Sequence, residues 1–158
     1  MSAPQHPVRR KDRELSEIEA LHLLEEAEWG VLATVDAEGW PYAVPVNHAL
    51  VDGDLIIHCA TAGHKLENLA INPRVSYCAV TQAETLPLEL ATSYASVIVF
   101  GQAELVSEAG EKRRLLRALG LRFAAEHAEV VDREINQDLF RTAVLRIRIE
   151  RATGKARR

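Results

Sequence analysis

Residues 30–80 constrain the fold more than any other part of this chain. They read GVLATVDAEGWPYAVPVNHALVDGDLIIHCATAGHKLENLAINPRVSYCAV, four short apolar runs rich in Val, Ile, Leu and Tyr separated by turn residues. Runs of that length and composition form strands, and tight turns between them make neighbours antiparallel. Strands are predicted over Gly30–Val35, from Trp40 to His48, over Leu55–Cys59 and over Arg74–Val80. Asp36–Gly39 and Asp52-Gly53 supply the hairpin turns. Pro45 marks an edge or a bulge, because proline has no N–H to give a ladder. A short helix is predicted from His64 to Ala70, stopped by Asn72-Pro73.

The flanks extend this plan. Ser16 and Glu19 have the spacing of a capping box, and Ile18, Leu21, Leu24 and Ala27 form an apolar stripe on a predicted helix over Glu17–Glu28. Residues 81–92 read as a long connection. Tyr94–Val106 reads as a long strand with a break near Gly101, and Glu108–His127 as a helix whose apolar face is Leu115, Leu116, Leu119 and Phe123. Helical turns are expected within Asp132–Arg141 and a final strand over Val144–Arg151. The expected division is a flexible arm over 1–12, one domain over 13–155 and a basic tail over 156–158. Six antiparallel strands with flanking helices favour a small β-barrel, since closure removes exposed edges.

Length and charge exclude some classes. A chain of 158 residues suits one domain with a real core, and 47% apolar against 27% charged residues is a globular balance. The net charge of −4 argues against a nucleic-acid platform. Cys59 and Cys78 sit inside strand runs and set no disulfide framework. The start MSAPQHPVRRKDR lacks the apolar stretch of a signal peptide, and no run reaches membrane-spanning length. The expectation is a soluble, cytoplasmic protein with no nucleic-acid or membrane partner.

GxGxxG, GxxxxGK[ST], HExxH, CxxC and GxSxG motifs are all missing. Thr61-Ala62-Gly63-His64-Lys65 offers another way to hold an anion. Small residues open the backbone, a helix start presents free N–H groups, and Lys65 brings a full charge. The same residues also suit a plain surface helix with a solvated lysine. His58 alternates in facing with Leu55, Ile57 and Cys59; it could meet a ligand or be a satisfied structural histidine. His58 and Cys59 point oppositely, so a shared metal ion is not expected. Asn47 and His48 end the second strand, where a partner near His58 across the hairpin would let both line one groove; they equally suit hydrogen-bonded turn residues.

GVLATVDAEGWPYAVPVNHAL and DGDLIIHCATAGHKLENLAINPRVSYCAV, followed by YASVIVFGQAELV and VLRIRIERATGK, resemble the FMN-binding split-barrel proteins related to pyridoxamine 5′-phosphate oxidase. The nitroimidazole-resistance branch is the nearest in pattern, and the resemblance spans Leu15 to Lys155. It implies a mainly β protein, a six-stranded antiparallel split barrel with flanking helices, forming a homodimer with FMN at the interface. It puts Lys65 and His64 at the phosphate with Thr61 and Asn68 nearby. Val46, Asn47 and His48 would run along the flavin, with His58 facing its ring and Cys59 beside it. Tyr94 and Ser96 would come from the partner subunit.

The activity so implied is that of an FMN-dependent oxidoreductase acting on a small molecule such as a nitro-aromatic. Reduced nicotinamide or another donor would supply electrons, and His58 would be the catalytic proton donor. A flavin carrier or sensor, or a haem- or deazaflavin-binding relative, are the alternatives. Pyridoxamine phosphate oxidases have an Arg-Lys pair where this chain has His64-Lys65, and a C-terminal tryptophan and Arg-x-His that it lacks. Vitamin B6 oxidation is therefore not expected.

Overall fold

The computed structural model describes residues 3–157. Its elements in chain order are β1 (Glu14–Leu15), α1 (Glu17–Glu26), β2 (Trp29–Val35), β3 (Pro41–Asn47), β4 (Ala49–Val51), β5 (Asp54–Ala60), α2 (His64–Ile71), β6 (Arg74–Leu86), β7 (Ala91–Leu105), α3 (Ala109–Phe123), α4 (Ala128–Asp138) and β8 (Thr142–Arg157). The strands form one antiparallel sheet in the order β3-β2-β6-β7-β8-β5-β4, with β1 paired to β8. The curled mainly β sheet with flanking helices is the expected split barrel. It has eight strands rather than six, the two additions being the short β1 and β4.

β4 exists because the second strand breaks at His48, whose ring turns into the core. Asp52 and Gly53 both take positive φ, 56° and 86°, as a two-residue hairpin turn requires, but that turn joins β4 to β5. β3 pairs with β2 instead, where Pro45 stands opposite Val31 on the free edge of the sheet. Asn47 therefore has Trp29 across from it, not a residue near His58.

Other expectations are corrected as well. Residues 81–92 are not a loop: Gln82–Leu86 pair with Ala91–Ala95, extending β6 and β7 into an arm with a bulge at Thr81. β8 continues through Thr153–Arg157, held by β7 and β1. The predicted stripe of the first helix holds at Leu21, Leu24 and Ala27, which meet the core, but Ile18 is 74% exposed and Ala20 is buried in its place. The capping box itself forms: the Ser16 hydroxyl accepts from the Glu19 N–H at 3.3 Å, and the Glu19 carboxylate accepts from the Ser16 N–H at 2.8 Å. The break predicted near Gly101 is absent: β7 runs through it unbroken, and the bulge opposite lies in β8, where Glu150 is the extra residue between Ile149 and Arg151. At the N-terminus, Arg151 donates to the carbonyls of Pro4 and His6, so part of the expected arm lies against the sheet.

The main core fills the inside of the sheet with Leu32, Leu55, Ile57, Val75, Val97, Val99, Leu145 and Ile147 around Tyr77, with α1 closing one end. Tyr77 lies over Gly30, where an added Cβ would come within 2.6 Å of its ring, so only glycine fits there. Its hydroxyl is 2.8 Å from His48 Nδ1, and His48 Nε2 is 2.7 Å from the Leu24 carbonyl. A carbonyl can only accept, so Nε2 carries the proton and Nδ1 accepts from the tyrosine. Burial pushes the His48 pKa down and the Tyr77 pKa up, and both groups stay neutral.

A second layer covers the outer side of β5 and β8. Leu115 of α3 packs on Ile56 and Val144, and α4 sets Val131, Ile135 and Leu139 against Leu116, Leu121 and Ala124. α3 ends at Phe123 rather than His127, and a 3₁₀ turn at Ala125–His127 leads into α4. Among the described residues, no helix is long and apolar enough to cross a membrane.

His48 is neutral when folded but protonates near 6.5 when unfolded, so the unfolded chain binds the extra proton. Stability is expected to fall as pH drops below 6.5, and urea midpoints from pH 8 to 5 measure it. Tyr77→Phe leaves Nδ1 without a donor and is expected to cost about 1–3 kcal/mol at pH 8 in the same assay.

Candidate functional site

β5 runs out of the core at Ala60, and Thr61-Ala62-Gly63 carries the chain to α2. Gly63 has φ 132° and ψ 169°, a region closed to other residues, and offers no side chain to cap the helix. The first intrahelical bonds are those of Leu66 and Glu67 to the Gly63 carbonyl, at 2.9 and 3.2 Å. The N–H groups of His64 and Lys65 precede them at an exposed, uncapped helix start, where the helix dipole also favours an anion. Thr61 is exposed beside this turn and Lys65 is half-buried. The Lys65 charge lies close enough to Cys59 to oppose the upward push that burial gives its thiol pKa.

Asn68 holds α2 in place. It is buried, and its side-chain N–H donates to the Thr34 hydroxyl on β2 at 2.9 Å. It supports the turn from behind, so its place beside a ligand is not supported. His48 is withdrawn in the same way by Leu24 and Tyr77. Val46 and Cys59 are half-buried, with their side chains packed against the main core. His64 stands exposed at the turn, its ring centre 4.2 Å from that of Tyr42 at a tilt of 39°.

Asn47 and His58 do come together, by a route the sequence does not show. Both line a cavity of about 430 Å³ between the strand ends and the α3–α4 pair. The Asn47 side-chain N–H donates to the Glu28 carbonyl at 3.0 Å, which leaves its carbonyl oxygen free. His58 is exposed at the mouth, yet the surrounding walls lower its pKa below 6.5 by desolvation, so the ring is neutral at pH 7. The helices that complete this cavity were expected from the sequence, but not that they close over Asn47 and His58. Phe123, expected on the packed face of its helix, is 47% exposed and Val130 41%, and both line the cavity.

Tyr94 and Ser96 lie on β7 between β6 and β8, whereas α2 packs on β2, so one chain does not bring them to the Gly63 turn. The Lys155 ammonium sits 5.8 Å from the centre of the Tyr94 ring. Val97 and Val99 point into the core, so Ser96 and Ile98 belong to the outer face, where Ile98 is 40% and Val80 51% exposed.

The family model for pyridoxamine 5′-phosphate oxidase matches residues 16–156. Solved structures share the fold. A putative 5-nitroimidazole antibiotic resistance protein from Bacteroides thetaiotaomicron superposes with a TM-score of 0.74 at 20% identity, covering 90% of this chain and 85% of that one. A FAD-binding protein from Mesorhizobium loti gives 0.64 at 26% identity over 92% and 98% of the two chains. A FAD and heme binding protein from Mycobacterium smegmatis gives 0.73 at 24% identity over 91% and 73%. No curated protein matches.

Replacing Gly63 by alanine forces a side chain into that backbone region and is expected to cost about 1–3 kcal/mol. A lowered urea midpoint measures it; an unchanged one means that the turn relaxes freely.

Proposed function

From the premise that this chain belongs to the pyridoxamine 5′-phosphate oxidase family, we propose that it binds FMN at the turn between β5 and α2 and acts as an oxidoreductase on a small molecule. The observation that supports this best is the uncapped start of α2 at Gly63, with free N–H groups beside a lysine. The His64 and Lys65 amides, the Lys65 ammonium and the Thr61 hydroxyl would hold the phosphate. The ring would extend toward Asn47 and His58. A bound flavin supplies reversible electron transfer, while the protein orients it and excludes competing reactions.

The same reading makes the protein a homodimer. Its outer sheet face, with Val80 and Ile98 uncovered, is where a second copy would pair, so that Tyr94 and Ser96 of each copy serve the site of the other. The FAD-binding relative from Mesorhizobium loti supports a flavin of some kind. Reduced nicotinamide is the proposed electron donor.

The absorption spectrum of the purified protein and the mass of its extracted cofactor test the assignment directly. FMN is expected; FAD would correct the ligand, and a protein that takes up no flavin would refute the reading. Lys65→Ala is expected to weaken FMN binding by about 1–3 kcal/mol, read by fluorescence titration. An unchanged affinity would place the phosphate elsewhere.

His58 is the proposed proton donor. Its folded pKa is depressed, so its charged form grows only as pH falls below 6.5. The His58-dependent rate is expected to rise over that fall, and His58→Ala to flatten the profile. Equal pH profiles for the two proteins would remove the role.

A further inference from the structure

We infer that the cavity between α3, α4 and the ends of β3 and β5 is a binding site for an aromatic molecule carrying a positive charge, selected by Glu134 and Asp138. The inference rests on the proposed function for its consequence, since His58 at the mouth then makes the cavity the substrate's seat beside the flavin.

The volume of about 430 Å³ lies in the range of small-molecule sites. Its walls are Leu116, Leu119 and Phe123 from α3 and Val130, Val131 and Ile135 from α4, an apolar lining suited to a flat ring. The groups that break this lining are His58, Asn47, Thr142, Glu134 and Asp138. Among the described lining residues there is no lysine or arginine. The Asn47 carbonyl oxygen and the two carboxylates can only accept, and desolvation by the surrounding walls keeps His58 neutral. Thr142 and the neutral His58 ring can each both donate and accept, so the charge this lining offers to whatever enters is negative.

Glu134 and Asp138 are four residues apart on α4, so both side chains fall on one face of the helix. Each has an arginine nearby, Arg133 at 3.2 Å from Glu134 and Arg141 at 3.9 Å from Asp138. These pairs are exposed and weak, and neither guanidinium lines the cavity. An ammonium held between the two carboxylates competes with them easily. A carboxylate or phosphate on the ligand would meet the same two charges with repulsion. The site thus discriminates by charge, in the direction opposite to one built for a phosphorylated substrate.

Three naphthalenes of equal bulk test this, bearing an aminoethyl, a hydroxyethyl or a carboxymethyl arm. Their dissociation constants for the full protein are measured by calorimetry, and flavin content is read from the absorbance of the same samples. The amine is expected to bind roughly five- to thirtyfold tighter than the carboxylate, and Glu134→Gln with Asp138→Asn to erase that gap while the alcohol is unchanged. Both substitutions fall on exposed side chains, so the fold is kept. Equal binding of amine and carboxylate, a gap that survives the double variant, or no binding of any naphthalene would overturn the inference. Flavin retained without discrimination sinks the inference alone. Discrimination in a protein that takes up no flavin supports the cavity and sinks the proposed function.

Discussion

The hydrogen bonds of Tyr77 and His48 set the frame on which everything else rests. One ring from β6 lies over Gly30 of β2, its hydroxyl meets the histidine between β3 and β4, and that histidine reaches the Leu24 carbonyl near the end of α1. Each partner is buried, so any one left unpaired would carry the full cost of desolvation. The network therefore specifies where the second strand ends and where the helix sits. It also explains one of the two strands added to the six apolar runs, since the inward turn of His48 divides one run into β3 and β4; the other, β1, comes from the pairing of Glu14 and Leu15 with β8.

The candidate site follows from that division. With β4 paired to β5, β3 is left as a free edge, and the ends of β3 and β5 meet beside the helices rather than through a ladder. Around this opening the supporting and presenting groups are different residues. His48 and Asn68 hold the frame from inside, while Asn47, His58, Thr61 and Lys65 stay at the surface. A rigid inner layer with a polar outer one is the arrangement that keeps a binding geometry in place without leaving buried polar atoms unpaired.

α3 and α4 then give this fold its own character. They bury one face on β5 and β8 but leave Phe123 and Val130 half uncovered over the cavity, with carboxylates at the mouth. Apolar walls set the size and flatness of what can enter, whereas the charge at the rim sets its sign. The first property is read from packing and the second from two residues of a single helix, so specificity can vary without disturbing the core.

The sequence by itself determined most of the local structure. Strand positions, the turns at Asp36–Gly39 and Asp52-Gly53, the Ser16–Glu19 box and the Gly63-Lys65 turn all depend on neighbours within a few residues. It also showed His58 alternating away from Leu55, Ile57 and Cys59, as the strand requires. Only the tertiary structure decided which polar residues face outward. The bond that buries His48 comes from 24 residues away and the one that buries Asn68 from 34, and no local period reports such partners. Nor could it show that Asn47 and His58 meet under helices far along the chain. Periodicity tells which residues share a face; what covers that face is set by segments that only folding brings near.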